Sequence, residues 1–147
     1  MSDSDLLSLY SARILALAAD IPHHGRLAEP HGTAKRRSPL CGSTVTVDVV
    51  VQDGRVAGFA QDVKACALGQ ASAAVLGEVV TARTQPEPMA APDSLGAMLK
   101  AAGPVPAAPF DGYEVLLPAR DYKNRHASIL LALEAVCAAM EAAEATP

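Results

Sequence analysis

Alternating hydrophobicity in one stretch decides the fold: Ser43–Val63, which reads STVTVDVVVQDGRVAGFAQDV. Valines in its first half alternate with polar residues, which is typical of a strand with one buried face. The pair Asp53-Gly54 is a strong hairpin signal, because both residues tolerate the positive φ angles of a tight turn. The stretch therefore predicts two antiparallel strands, 44–51 and 56–63, joined at that turn.

Apolar residues recur with helical spacing on both sides of the hairpin. Ser4 is the predicted N-cap of the first helix, and Pro22 follows the end of that helix. The predicted helices cover residues 6–18 and 65–80, and a last one runs from Tyr122 or Asn124 to about Ala143. Helices around a hairpin indicate an α+β fold, in which a small antiparallel sheet of about three strands is packed on one face by helices.

Two proline-containing segments interrupt this pattern. Residues 21–40 are a predicted loop with one short strand near its end. Residues 84–109 contain six prolines and are predicted as an excursion docked on the surface, in which Asp93 caps a short helix that ends near Ala102. The predicted organisation is a single domain over residues 1–147.

Composition excludes several classes of protein. The chain has 147 residues, half of them hydrophobic, and a net charge of −4. Such a chain folds around a core, and it lacks the broad basic surface of a nucleic-acid-binding protein. No apolar run reaches the roughly 20 residues that span a bilayer, and the acidic start Met1–Asp5 lacks the basic region of a signal peptide. We expect a cytoplasmic protein that neither binds nucleic acid nor inserts into a membrane.

Two of the three cysteines flank the hairpin: Cys41 precedes its first strand and Cys66 follows its second. Antiparallel pairing brings these ends together, so we expect the two thiols within about 8 Å, from a strand spacing of about 5 Å plus side-chain reach. Converging thiolates suit a soft metal ion, an iron–sulfur cluster or a sulfur relay. Two ordinary buried cysteines are the alternative. Cys137 is predicted in the core of the last helix, with a structural role.

Several short motifs follow one another along the chain. They are Pro22-His23-His24-Gly25-Arg26, Ser38-Pro39-Leu40-Cys41-Gly42, Asp53-Gly54-Arg55-Val56, Cys66-Ala67-Leu68-Gly69-Gln70-Ala71-Ser72 and Arg125-His126-Ala127-Ser128. With these motifs the sequence resembles the iron–sulfur cluster assembly scaffold family, which comprises the U-type scaffolds and the NifU N-terminal domain. The long segment between Cys66 and Ser128 is similar to the insertion of the SufU-like branch.

The resemblance implies a ligand set of three cysteines plus an aspartate or histidine, which hold zinc or the nascent cluster. Cys41 and Cys66 match two of these cysteines. Ser43 stands at the aspartate position and Ser128 at the third cysteine, and neutral hydroxyls are poor ligands beside thiolates. His126, next to the missing cysteine, is an auxiliary candidate with Ser43 and Ser128. The implied cofactor is an iron–sulfur cluster or zinc, or none because of the two serines.

Two functions follow from the resemblance and its departures. The first is an iron–sulfur scaffold that binds iron or cluster, or accepts sulfur, through Cys41 and Cys66. Its partners would be a cysteine desulfurase or proteins that receive the cluster. The second is a degenerate, cluster-free paralogue that acts as an adaptor or accessory subunit of a larger complex. In neither case do we expect an enzyme, because the sequence offers no nucleophile–base–oxyanion arrangement. The basic run Lys35-Arg36-Arg37 suits an acidic partner or is a solvated face.

Overall fold

A three-stranded antiparallel sheet in the order β1-β2-β3 lies at the centre of the structure. The strands are β1 (Gly32–Arg37), β2 (Thr44–Gln52) and β3 (Arg55–Lys64). The structure is a computed structural model, and it describes residues 11–38, 42–53, 55–81, 86–108 and 110–145.

The predicted hairpin is confirmed. β2 and β3 pair antiparallel, from Thr44 opposite Lys64 to Gln52 opposite Arg55. Asp53 has a φ of 54°, the left-handed conformation that the Asp-Gly signal predicts for this turn. β1 is the short strand expected near the end of the loop, and it pairs antiparallel with β2.

Helices complete the fold and cover the valine face of the sheet. They are α1 (Ala12–Ala19), α2 (Ala67–Val79), α3 (Pro86–Lys100), a 3₁₀ helix (Phe110–Asp121) and α4 (Lys123–Ala145). α4 packs across β1 and β2, and α2 packs against α4 and α1. Val45, Val47 and Val49 of β2 are buried beneath them. The predicted α+β class is confirmed.

The first described helix covers the later part of the segment 6–18 that the sequence predicts as helical. Ser11 is the N-cap of α1, and its hydroxyl accepts a hydrogen bond of 3.2 Å from the backbone N–H of Ile14. Ser4, the predicted N-cap, lies outside the described residues. Ile14 is buried, and α1 packs against α2, which fixes α1 on the helical layer.

The proline-rich segment is more helical than predicted. α3 already begins at Pro86 and continues through Pro92, so Asp93 lies inside the helix and the prediction that it caps one is wrong. Pro86 and Pro88 lie in the first turn, where a proline costs no hydrogen bond because its N–H would have no helical partner. Pro92 lies in the second turn and does cost one. Buried side chains of the second half, Leu95 and Leu99, then hold the helix against the core.

Helix α4 is apolar enough, by length and composition alone, to cross a membrane. Most of that apolar window is buried in the protein, because β1, β2, α2 and α3 pack around it. Gly32 of β1 brings sheet and helix into direct contact: a Cβ at this position would overlap the carbonyl oxygen of Ala139 and lie 2.6 Å from the backbone nitrogen of Ala143. α4 is therefore the central core helix of the fold.

On the opposite face of the sheet, Asp48 of β2 is fully buried under the loop that precedes β1. Its carboxylate accepts hydrogen bonds from Arg26 Nε at 2.6 Å, from Thr33 Oγ1 at 2.6 Å and from the Leu27 N–H at 3.0 Å. Burial alone would raise the pKa of Asp48, but these hydrogen bonds outweigh burial and hold the pKa below its ordinary value. The carboxylate thus anchors the loop to the sheet.

Candidate functional site

Three elements meet at the open end of the hairpin. Cys66 follows β3 and is the N-cap of α2, with no capping hydrogen bond from its side chain. Ser43 immediately precedes β2, and the pairing of Thr44 with Lys64 brings it to the same end as Cys66. Ser128 lies in the second turn of α4, which crosses the sheet here. Pairing of the hairpin and packing of α4 therefore create the site together.

A continuous chain of polar contacts joins these three side chains. The thiol Sγ of Cys66 lies 3.5 Å from the hydroxyl Oγ of Ser128. That hydroxyl donates to the hydroxyl of Ser43 at 3.2 Å. Ser43 and Ser128 are buried, with 5% and 1% of their surfaces exposed, whereas Cys66 is partly exposed. The thiol is thus the group of this cluster that an incoming molecule reaches first.

Gly69 makes the close approach of α2 and α4 possible. A Cβ at this position would lie 2.6 Å from the Ser128 hydroxyl and 2.9 Å from the Cβ of Ala65. Real Cβ atoms do not approach other heavy atoms this closely, so any larger residue would displace Ser128. The sequence indicates only that this glycine weakens the helix; its packing role follows from the structure.

Two backbone hydrogen bonds join the end of β1 to the residues just before β2. The N–H of Ser38 donates to the carbonyl of Ser43 at 2.8 Å, and the N–H of Gly42 donates to the carbonyl of Ser38 at 3.1 Å. Gly42 has a φ of 70°, which favours glycine. Cys41, bonded to Gly42, lies outside the described residues, so the expected distance between the Cys41 and Cys66 thiols stays a prediction.

His126 is close to the site in sequence, but its ring is held by backbone groups. It is buried, and its Nε2 lies 3.0 Å from the carbonyl oxygen of Ala119 and 3.1 Å from that of Arg120. Both neighbours are acceptors, so Nε2 carries the proton and donates it. The ring ties the end of the 3₁₀ helix to α4, and ligation through Nε2 would require these hydrogen bonds to break.

Cys137 lies far from the cluster on the same helix. It is nine residues beyond Ser128, a rise of about 13.5 Å along α4. Burial, followed by the negative charges of Glu141, Glu134 and Asp93, raises the pKa of the Cys137 thiol to about 12. A protonated, partly buried thiol suits packing rather than ligation, and the structural role of Cys137 stays a prediction.

The donor set of the cluster is one thiol and two hydroxyls. Among the residues that the structure describes, no three or more histidine, cysteine, aspartate or glutamate side chains come together as a metal site. Ser43 and Ser128 occupy the positions at which the resemblance implies an aspartate and a cysteine. The described donors at this end of the hairpin are therefore the thiol of Cys66 and the hydroxyls of Ser43 and Ser128.

Comparison with solved structures places the chain among known folds. It is 44% identical to the N-terminal part of a nitrogen-fixing NifU-like protein from Brucella abortus, with a TM-score of 0.93 over 97% of this chain and 99% of that one. A putative SUF-system iron–sulfur cluster assembly scaffold from Fervidobacterium islandicum AW-1 shares the fold at 18% identity, with a TM-score of 0.80 over 88% of this chain and 95% of the other. So does a hypothetical protein solved at 2.3 Å resolution, at 22% identity and a TM-score of 0.77 over 94% and 98% of the two chains.

No protein-family model matches the chain, and no curated protein does. The likeness to the Brucella abortus protein nevertheless extends over nearly the whole of both chains at high identity. The open end of the hairpin also joins Cys66 to Ser43 and Ser128 at the ligand positions that the sequence resemblance implies. The chain therefore belongs to the NifU-like, U-type scaffold family of iron–sulfur cluster assembly.

Proposed function

We propose that this chain accepts sulfur, and carries iron or nascent cluster, at the open end of the hairpin, with Cys66 and Cys41 as its sulfur ligands. The observation that carries the proposal is the contact of the partly exposed Cys66 thiol with Ser128, which in turn donates to Ser43. This contact supports the proposal because it places a partly exposed cysteine at the open end of the hairpin.

The donor atoms favour sulfur transfer over tight metal binding by the described residues alone. A thiolate is a strong nucleophile and a strong ligand for zinc and iron, whereas a serine hydroxyl stays protonated near neutral pH. Cys66 with two hydroxyls does not fill a tetrahedral shell, so iron or cluster bound here would need Cys41 and donors from a partner or a second copy.

Sulfur transfer from a persulfide to Cys66 requires no added oxidant. The Cys66 thiolate would attack the outer sulfur of a persulfide carried by a cysteine desulfurase. The donor's S–S bond breaks, the donor cysteine leaves as a thiolate, and the new S–S bond forms on Cys66. The Ser128 hydroxyl lies 3.5 Å from the sulfur of Cys66, and it would donate its proton to the thiolate only by turning that proton away from Ser43.

A scaffold of this family is a carrier and not an enzyme, in agreement with the expectation from the sequence. Its proposed partners are a cysteine desulfurase as the sulfur source and iron–sulfur proteins as recipients. The proposed compartment is the cytoplasm, whose reducing conditions keep thiols available for exchange.

One observation favours the second candidate, a cluster-free adaptor. Ser128 and Ser43 are buried and hydrogen-bonded to each other, so their hydroxyls are satisfied without any ligand. In that case the family fold would serve docking alone, and the thiol of Cys66 would carry no sulfur.

Sulfur loading distinguishes the two candidates. The protein is incubated without oxygen with a cysteine desulfurase and cysteine, and intact mass is measured before and after reduction. We expect the mass of added sulfur on the wild type, reversed by reductant, and a loss of that signal in Cys66→Ser. Cys137→Ser is the matched control and should load normally. A wild type that gains no sulfur would leave the adaptor as the function.

A further inference from the structure

The outer edge of β1 directs backbone groups away from the sheet. β1 is an edge strand, and in the part of the chain that the structure describes it pairs only with β2. The hydrogen bond from the Ser38 N–H to the Ser43 carbonyl shows which opposite residues of β1 and β2 are hydrogen-bonded pairs. Hydrogen-bonded pairs then recur at every second residue. Thr33, Lys35 and Arg37 therefore direct their N–H and C=O groups away from β2.

The same edge carries the densest positive charge of the sequence. Lys35, Arg36 and Arg37 are consecutive and all exposed, in a chain whose net charge is −4. The ion pair found among the described residues joins Arg26 to Asp48 instead. The guanidinium of Arg36 contacts the Lys35 carbonyl at 3.3 Å. No described carboxylate neutralises this run.

Lys35 and Arg37 combine a positively charged side chain with backbone N–H and C=O groups that point away from β2. Their side chains share one face of the sheet, because they stand opposite Thr46 and Thr44 of β2. A strand added to β1 would place the Cβ atoms of its own alternate residues about 4.5–5.5 Å from those of Lys35 and Arg37. Acidic residues at every second position of such a strand would pair with both.

We propose that the outer edge of β1 docks an extended acidic segment of a partner protein, which adds to the sheet as a fourth strand. Main-chain hydrogen bonds to Thr33, Lys35 and Arg37 would hold the segment, and the cations would select its charge. Because Ser38, the residue after β1, is hydrogen-bonded to Ser43, the partner would lie beside the Cys66 cluster. Only this last consequence rests on the proposed function.

The test measures protection of individual backbone amides in the full-length, isotope-labelled chain. The probe is a short peptide of alternating glutamate and valine, and the matched probe alternates glutamate with proline, which carries the same charge but cannot form a strand. We expect the glutamate–valine peptide to slow exchange of the Thr33, Lys35 and Arg37 amides. The glutamate–proline peptide should leave their exchange unchanged.

Variants separate the contribution of charge from that of the backbone. Lys35→Gln/Arg37→Gln should weaken binding about tenfold, since two exposed ion pairs are lost. Arg13→Gln/Arg55→Gln, which removes the same charge from exposed positions elsewhere, should not. Lys35→Pro and Lys35→Gln remove the same cation, but only Lys35→Pro also removes an outward N–H. The Lys35→Pro variant should therefore bind the glutamate–valine peptide much more weakly than Lys35→Gln does. Thermal unfolding confirms that each variant is folded.

Four results would overturn the proposal. The first is equal binding of the two peptides, and the second is an equal loss of peptide affinity in the two double variants. The third is that the amides of β1 are already protected from exchange in the isolated chain. The fourth is that a single-stranded oligonucleotide binds more tightly than the peptide at the same amides. The third would mean that the chain itself covers this edge, and the fourth that its partner is a nucleic acid.

Discussion

The hydroxyl of Ser128 donates a hydrogen bond to the hydroxyl of Ser43 at 3.2 Å, although 85 positions separate the two residues along the chain. Both hydroxyls stand where the family resemblance implies a thiolate and a carboxylate. By that resemblance the cluster corresponds to a ligand set in which two donors are neutral hydroxyls, and we expect its affinity for metal to depend on these two side chains.

Restoring the donors should restore tight metal binding. Ser43→Asp together with Ser128→Cys would place a carboxylate and a second thiolate beside Cys66, and such donors hold zinc far better than hydroxyls. We expect the double variant to bind zinc more tightly than the wild type in a competition titration with a chromogenic chelator. The matched control is Ser72→Cys, at a buried serine of α2 that donates to the carbonyl of Ile129. It adds a thiol outside the cluster and should leave zinc affinity unchanged.

Equal zinc affinity in the wild type and the double variant would contradict this prediction. If the wild type bound zinc stoichiometrically against a strong chelator, a nitrogen ligand would complete the site. In that case His126→Ala would abolish zinc binding.

Gly32→Ala should destabilise the protein because the new Cβ overlaps α4 at Ala139 and approaches Ala143. Overpacking of this kind costs about 1–3 kcal/mol, measured as a lower urea midpoint. Gly96→Ala is the matched control: a Cβ there meets nothing within 4 Å, and alanine replaces glycine inside α3, so we expect a gain of about 0.5–1 kcal/mol. Equal effects of the two substitutions would refute the close contact between β1 and α4.

Acid should weaken the fold partly through Asp48. Its pKa is lowered in the folded protein, so its contribution to the free energy of unfolding is complete above the unfolded pKa of about 3.9. That contribution is lost as the pH falls from about 4 through the folded pKa. Asp48→Asn should be less stable than the wild type at neutral pH and lose less stability on acidification. Asp111→Asn, at an exposed position, should retain the wild-type pH profile in urea unfolding.

Thiol labelling should separate the cysteines by their surroundings. The pKa of Cys137 is raised to about 12, so very little thiolate is present at pH 8 and its reaction with a disulfide reagent should be slow. Cys66 is partly exposed, and we expect it to react first. Comparison of Cys66→Ser with Cys137→Ser in a Cys41→Ser background measures each rate. Faster labelling of Cys137 would contradict its assignment to the helix core.

The sheet could be predicted because its signals are local. Valine alternation and the Asp53-Gly54 pair act over a few residues, and tertiary packing does not compete with them. The 3₁₀ helix was missed, although its buried residues Phe110, Tyr113, Leu116 and Ala119 recur at every third position. That spacing fits three residues per turn, but the prolines around it favoured an irregular surface segment.

The cluster could be predicted only in part. Position along the chain indicated that Ser43, Cys66 and Ser128 belong together, because the family motifs carry that information. It could not indicate that Gly69 makes room for Ser128, or that His126 is occupied by the carbonyls of Ala119 and Arg120. Those facts depend on how α2, α4 and the 3₁₀ helix pack, which local sequence patterns do not encode.

The long separation of Ser43 from Ser128 has a consequence during synthesis on the ribosome. At about 5–20 residues per second, Cys66 emerges several seconds before Ser128, and α4 cannot yet cover the hairpin. The nascent chain therefore holds Ser43 and Cys66 at the end of the hairpin before the hydroxyl that links them has been made. The polar contacts of the cluster can close only when the last helix has been translated.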